Sequence, residues 1–338
     1  EGDPYLARTA LLRRRLRRML GDSKRFSLRG VVERIEYKLT PSSLASTITL
    51  YEQARRYFPD NYAKRVRLRM PAYVKLGGNN PFPRTYVTTR MSAGPKSKLY
   101  GPFGTRTAAE DFEKQMLDFF QIRRCQEDLT PSLEHPGCIY GEMNMCLRPC
   151  QEVVGEPEYA TEVARVRDFF ETRGQSLVAA IERARDRASD NLDFEEAARQ
   201  HKRLERVQAL TRQTDELAGD IGRTQGVAVC RAAEPGFVEL RFFDRGAWLY
   251  PVDFPLVGAG VSMDSRLRGV VAELAPRKLS TAEKQDHFAI LKRWHGSSWR
   301  DGEWIGFEDI AELPYRKLVR AISRVSSAAG DSGLLPGL

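Results

Sequence analysis

Four of the five cysteines, Cys125, Cys138, Cys146 and Cys150, fall within 26 residues, with twelve, seven and three residues between them. Thiolates are soft ligands, and four that converge suit zinc or an iron–sulfur centre. The first gap is longer than in a zinc ribbon, and no two cysteines are separated by two residues. Gly137, Gly141 and Pro149 supply tight turns that bring backbone amides toward sulfur. The alternative is four unrelated buried thiols, since free cysteine is often a core residue; the density of this group argues against it. Spacing leaves zinc and iron–sulfur open. Cys230, in a strand-like run, reads as a core thiol. With no secretory leader, five cysteines argue against a disulfide framework.

A second chemistry lies at the start of the chain. Residues 5–20 place Leu12, Leu16 and Leu20 at helical spacing, and Arg13, Arg14, Arg15, Arg17 and Arg18 on the other faces. Five arginines in six positions repel one another unless a polyanion neutralises them. Arginine also meets phosphate in bidentate fashion, so this helix, with Arg8 before it, reads as a phosphate-contacting surface. His135, His201, His287 and His295 show no ligand or triad spacing and read as structural or exposed. Asp220 reads as a loop residue, because no paired acidic motif accompanies it as a two-metal site would require. Trp294, Trp299 and Trp304 with Arg300 could stack bases, but read better as a small core.

These groups need elements to hold them. Residues 30–38 alternate as a half-buried strand would, and 43–58 read as a helix ended by Pro59. Strand patterns at 72–76 and 85–90 flank a Gly/Asn/Pro-rich turn at 77–83, which predicts a hairpin; 100–105 reads as a turn. An amphipathic helix is expected over 107–122. Beyond the cysteines, helices are expected over 157–188, with a break near Gly174, and 193–217, with Asn191 and Asp193 as capping residues. Three short strands follow within 226–254, then helices over 279–295 and 313–326 and a frayed tail to Leu338.

The chain has 338 residues, 41% hydrophobic and 29% charged, a composition that excludes disordered and fibrous classes. Roughly 150 residues per domain predicts about two domains. No stretch approaches the roughly 18 apolar residues of a membrane-spanning helix, so no membrane partner is expected. A net charge of +9 favours a polyanionic partner, weakly on its own. A start just before Pro4-Tyr5-Leu6 predicts a fragment with residues missing upstream, and a cytoplasmic location is expected.

Four segments resemble the UvrC family of the bacterial excinuclease ABC. Tyr5-Leu6-Ala7 with Leu12, Arg13 and Arg15 resembles the second half of a GIY-YIG nuclease motif. Arg84–Thr88 with Tyr100–Phe103 resembles the segment that follows that nuclease. Cys125, Cys138 and Cys146-Leu147-Arg148-Pro149-Cys150 resembles the family's cysteine cluster, and Leu192–Ala198 the UVR helical hairpin. The resemblance covers about residues 4–250. It implies a 4Fe–4S centre on the four cysteines, with zinc as the alternative, that braces a DNA-facing loop. It also implies a UvrB-like helicase docking on Leu192, Phe194, Ala197, Ala198 and Leu204, DNA as partner, and nucleotide excision repair as the setting.

The departures bear on catalysis. The GIY strand would precede Glu1, and the YIG glycine is Ala7. The family's arginine maps onto Arg15. Its metal-binding glutamate should fall near Leu50, where Glu52 is the nearest carboxylate, about 200° round the helix. If active, the chain would cut a phosphodiester with Mg or Mn, Arg15 clamping phosphate, Tyr5 helping to activate water and Glu52 serving as a poor ligand. The alternative is an inactive DNA-binding adaptor that recruits the helicase. The expected fold class is multidomain α+β. It comprises a truncated GIY-YIG-like α/β domain (1–70), a cysteine-cluster module (71–156), a helical hairpin (157–217) and a small α/β C-terminal domain (218–338).

Overall fold

Three apolar cores organise the computed structural model, which describes residues 4–21, 28–78, 80–92, 97–258, 260–298 and 300–331. The N-terminal helices are α1 (Leu12–Leu20), α2 (Ser43–Tyr57) and α3 (Tyr62–Val66). α2 begins where Ser42 turns its hydroxyl onto the Ala45 N–H, the N-cap bond that satisfies a first-turn donor. Residues 30–38 form no strand. They have no ladder partner among the described residues, so an alternating pattern has nothing to pair with, and Val31, Ile35 and Tyr37 stay exposed.

The first sheet is antiparallel, in the order β2-β1-β3-β4, from β1 (Ala72–Leu76), β2 (Thr85–Thr88), β3 (Lys98–Phe103) and β4 (Gly219–Asp220). The hairpin is the expected one, with Val74 opposite Val87. β3 occupies the stretch that reads as a turn. Gly101, at φ +153°, lets the strand lie against β1, where a Cβ would stand 2.9 Å from the Tyr73 ring. Asp220 is likewise no loop residue: it closes the sheet opposite Tyr100 and caps the turn at Gly222. α4 (Arg106–Leu117), capped by Thr105, covers this sheet and stops five residues short of the expected end. The short α5 (Ile139–Glu142) belongs to the cysteine loop.

The helical region contains three helices, α6 (Glu156–Glu171), α7 (Gln175–Asp190) and α8 (Phe194–Gln213). The break falls at Gly174, whose φ of +88° suits glycine and where a Cβ would meet Thr211 at 2.6 Å. α6 fills the first core: Phe169 and Phe170 stack about Tyr100, whose ring lies 5.0 Å from Phe112. α7 and α8 form the hairpin, and Leu177, Ile181, Leu204 and Val207 join the same core.

The second sheet holds β5 (Gln225–Arg231), β6 (Phe237–Asp244), β7 (Ala247–Trp248), β8 (Val252–Pro255) and β9 (Gly302–Phe307). Its order is β7-β6-β5-β9, with β8 on β6. α9 (Met263–Ala272), α10 (Thr281–His295) and α11 (Tyr315–Asp331) complete the chain; α9 and β9 carry no pattern that separates them from their surroundings in sequence. Val227 and Val229 face the core shared with α9 and α11. Ala228 and Cys230 face the core shared with α2 and α10, as strand alternation requires. Cys230 is the expected core thiol, and Trp294 and Trp304 lie in that core. Trp299 and residues 332–338 lie outside the described residues, and the last helix runs on to Asp331.

Candidate functional site

α1 is built from strong helix formers and has no buried residue. Arg8, Arg13, Arg14, Arg17 and Arg18 are exposed. Arg15 Nη2 donates to the Tyr5 hydroxyl at 3.0 Å, so two of the three expected catalytic groups come together at the surface. Glu52 does not join them by any hydrogen bond or ion pair among the described residues. Its carboxylate stands 3.5 Å from the Arg277 guanidinium, which is anchored by donating to the Trp248 carbonyl at 3.2 Å. A fixed cation there repels a second cation.

Glu52 faces Arg277 because of how α2 is seated. The Asp301 carboxylate accepts from the Ser43 N–H and from its hydroxyl, both at 2.5 Å, and so caps α2 from a loop 258 residues away. Asp286, buried on α10, accepts from the Tyr51 hydroxyl at 3.0 Å and the Tyr62 hydroxyl at 2.8 Å. Arg55 pairs with Glu283 at 2.5 Å. Burial pushes the Asp286 carboxyl up against the pull of the two phenols. Burial, then donation to Asp286, pushes Tyr62 up to about 12. Glu283 is held down at about 2 by the Ser280 N–H first and Arg55 next.

The histidines are structural or exposed. His287 is buried and depressed to about 3 by desolvation, and its neutral ring accepts from the Trp248 N–H. His295 stands between Asp215 and Glu216, His201 beside Glu205 on the surface, and His135 accepts from the Gly137 N–H.

The four clustered cysteines are free thiols on one loop. Burial pushes Cys146 up to about 11, and the charges that Cys125, Cys138 and Cys150 would carry push it further, so the four lie within electrostatic reach of one another. The Arg148 N–H points at Cys146 Sγ at 3.4 Å, and the Arg123 guanidinium at Cys125 Sγ at 3.5 Å. Among the described residues, no group of three or more Cys, His, Asp or Glu side chains stands in a ready metal-binding arrangement.

On the hairpin, Leu192 sits at φ +60° and is 73% exposed, and Phe194 is 67% exposed. Ala198 is exposed and Ala197 half-buried, whereas Leu204 lies in the first core. The polar groups that sequence reasoning misses are Asp286, Asp301 and the Lys98 bridge between Glu171 and Asp220, at 2.8 and 2.9 Å. Their partners are more than 70 residues distant, beyond any local signal.

The site is therefore a multidomain α+β assembly with a basic helix, a thiol-rich loop and an exposed hairpin tip. Residues 72–169 match the family model described as the UvrC/Cho excinuclease middle domain. The chain is 24% identical over 313 residues to the UvrABC system protein C of Clostridioides difficile (strain 630), covering 87% of this chain and 51% of that protein. It is 27% identical over 235 residues to that of Haloarcula marismortui, covering 69% and 40%. For that of Moorella thermoacetica the identity is 25% over 278 residues, covering 81% and 45%. UvrC-family homology thus extends at low identity over much of the chain, which spans about half the length of the curated relatives it matches. No solved structure matches, and no helix among the described residues is long and apolar enough to cross a membrane.

The seating of α2 has a pH signature. A carboxylate depressed from 4.5 to about 2 lends stability that is complete above pH 4.5 and lost as pH falls toward 2. Urea unfolding across that window should show wild-type stability falling, and Glu283→Gln should flatten this part of the profile. Arg55→Ala, which spares the Ser280 cap, should flatten it in part; an unchanged slope in that variant would remove the Arg55–Glu283 pair from the interface.

Proposed function

We propose that this chain is a UvrC-like DNA-repair protein that binds duplex DNA through α1 and works as an adaptor without cutting. The observation that carries this is the Glu52–Arg277 ion pair: the carboxylate nearest the expected metal-ligand position faces a fixed guanidinium instead. The arginines of α1 supply sequence-independent affinity by releasing counterions. The exposed Leu192 and Phe194 offer an apolar tip to a UvrB-like helicase, with Ala197 and Ala198 beside them. A cytoplasmic setting follows from this role. Incision is the second reading, and the Tyr5–Arg15 hydrogen bond favours it. A phosphate beside Arg15 would then be clamped while Tyr5 orients water and Mg or Mn is recruited.

The donor chemistry of Cys125, Cys138, Cys146 and Cys150 fits a thiolate-held centre. Their thiols share one electrostatic environment, and N–H donors are aimed at two of the sulfurs. Burial raises the Cys146 and Cys150 thiols, so a cation beside them is what would favour their deprotonation near neutral pH. A 4Fe–4S cluster held by all four would cross-link the loop; zinc would do the same without colour.

On a lesion-containing duplex with Mg or Mn, the chain should bind and leave both strands intact. Changing Arg13, Arg14, Arg17 and Arg18 to Ala should lower the log–log salt slope by about 3 to 4. Nicking that Arg15→Ala abolishes would establish the second reading instead. Anaerobic purification should give a coloured protein with about four irons per chain, lost in Cys146→Ser. A colourless protein with one zinc would replace iron, and neither metal would remove the centre.

A further inference from the structure

Two surfaces of the chain carry opposite charge and lack partners among the described residues. The first is the cysteine loop. Residues 124–158 hold seven acidic side chains and two arginines, in a chain whose net charge is +9. All seven acids are exposed, Glu127, Asp128, Glu134, Glu142 and Glu152 among them, and none is in an ion pair among the described residues. Both arginines are half-buried, and Arg124 is turned inward onto the Leu117 carbonyl and Asp118. Ile139 and Met143 stand among these acids at 63% and 61% exposure, and Leu133 at 81%.

This exposure belongs to an ordered surface. The Ser132 N–H donates to the Cys150 carbonyl at 2.9 Å and Gln151 to the His135 carbonyl at 3.2 Å, which stitch the two halves of the loop together, and the Met143 N–H closes α5 on the Ile139 carbonyl at 3.0 Å. Such a face repels phosphate, contrary to the expectation of a DNA-facing loop. Exposed apolar groups on an acidic segment fit a basic amphipathic helix.

The second surface is such a helix. α1 has five arginines in nine residues and no acid, and Leu12, Leu16, Met19 and Leu20 along it are only half covered. No hydrogen bond or ion pair joins α1 to residues 124–158 among the described residues. We propose that α1 of one copy docks on the cysteine loop of a second copy. A twofold axis lets both copies make the contact at once, so the assembly closes as a dimer. The arginines that face the acids in the dimer are those assigned to DNA above. Where that assignment holds, duplex DNA competes with the partner copy and dissolves the dimer; the dimer itself does not depend on it.

Sedimentation velocity at low ionic strength tests the dimer. Wild type should dimerise with rising concentration and revert to monomer at high salt. Arg14→Glu/Arg17→Glu should be monomeric alone, as should Glu134→Lys/Glu142→Lys. An equimolar mixture of the two should dimerise, because each acidic face then meets a basic one across the twofold. Circular dichroism checks that both variants fold. Monomeric wild type at every concentration, a dimer indifferent to both reversals, or a mixture that stays monomeric would overturn the proposal. Duplex DNA that leaves a wild-type dimer intact would contradict the competition with DNA and leave the dimer standing.

Discussion

Two carboxylates, the buried Asp286 and the exposed Asp301, fix how the N-terminal helices lie on the C-terminal sheet. Asp286 faces the Tyr51 and Tyr62 hydroxyls, and Asp301 faces the first turn of α2. A buried polar group without its partner costs about 1–3 kcal/mol, more when charged. Withdrawing α2 would strip the Tyr51 hydroxyl from buried Asp286 and expose Leu44, Ile48 and Tyr51, which share a core with Phe243, Trp248 and Phe288. The sheet face beneath is therefore closed by two helices from opposite ends of the chain. That closure brings Glu52 to Arg277, and the functional reading follows from it.

Charge is segregated on the same scaffold. The excess of arginine is concentrated on α1, whereas the cysteine loop is acidic outside and thiol-rich inside. Desolvation raises Cys146, and mutual repulsion opposes ionising several thiols together. Near neutral pH Cys146 is therefore held as a neutral thiol, and only a cation beside it would favour the thiolate.

Local signals made much of the framework legible. Ser42, Thr105 and Asp193 each cap the helix expected after them, and the 77–83 turn joins the expected strands. Patterns that depend on a partner were less informative. Residues 30–38 alternate without a neighbouring strand, and β3 hides behind a Gly-Pro that reads as a turn. Of the candidate site, the Tyr5–Arg15 pair was legible because ten residues and one helix join them. The seating of α2 was not, because Tyr51 and Asp286 are 235 residues apart. Leu204 shows the limit of motif reading: it sits on the hairpin, but its side chain completes the first core.

Amide hydrogen exchange of wild type and Asp286→Ala tests the shared core most directly. In wild type, residues 43–57 should be protected to the same extent as residues 281–295, and Asp286→Ala should speed exchange in both segments together. Rapid exchange of α2 beside a protected α10 in wild type would contradict the account. It would show that α2 moves freely of the C-terminal sheet, with Glu52 free to leave Arg277 for a metal ion.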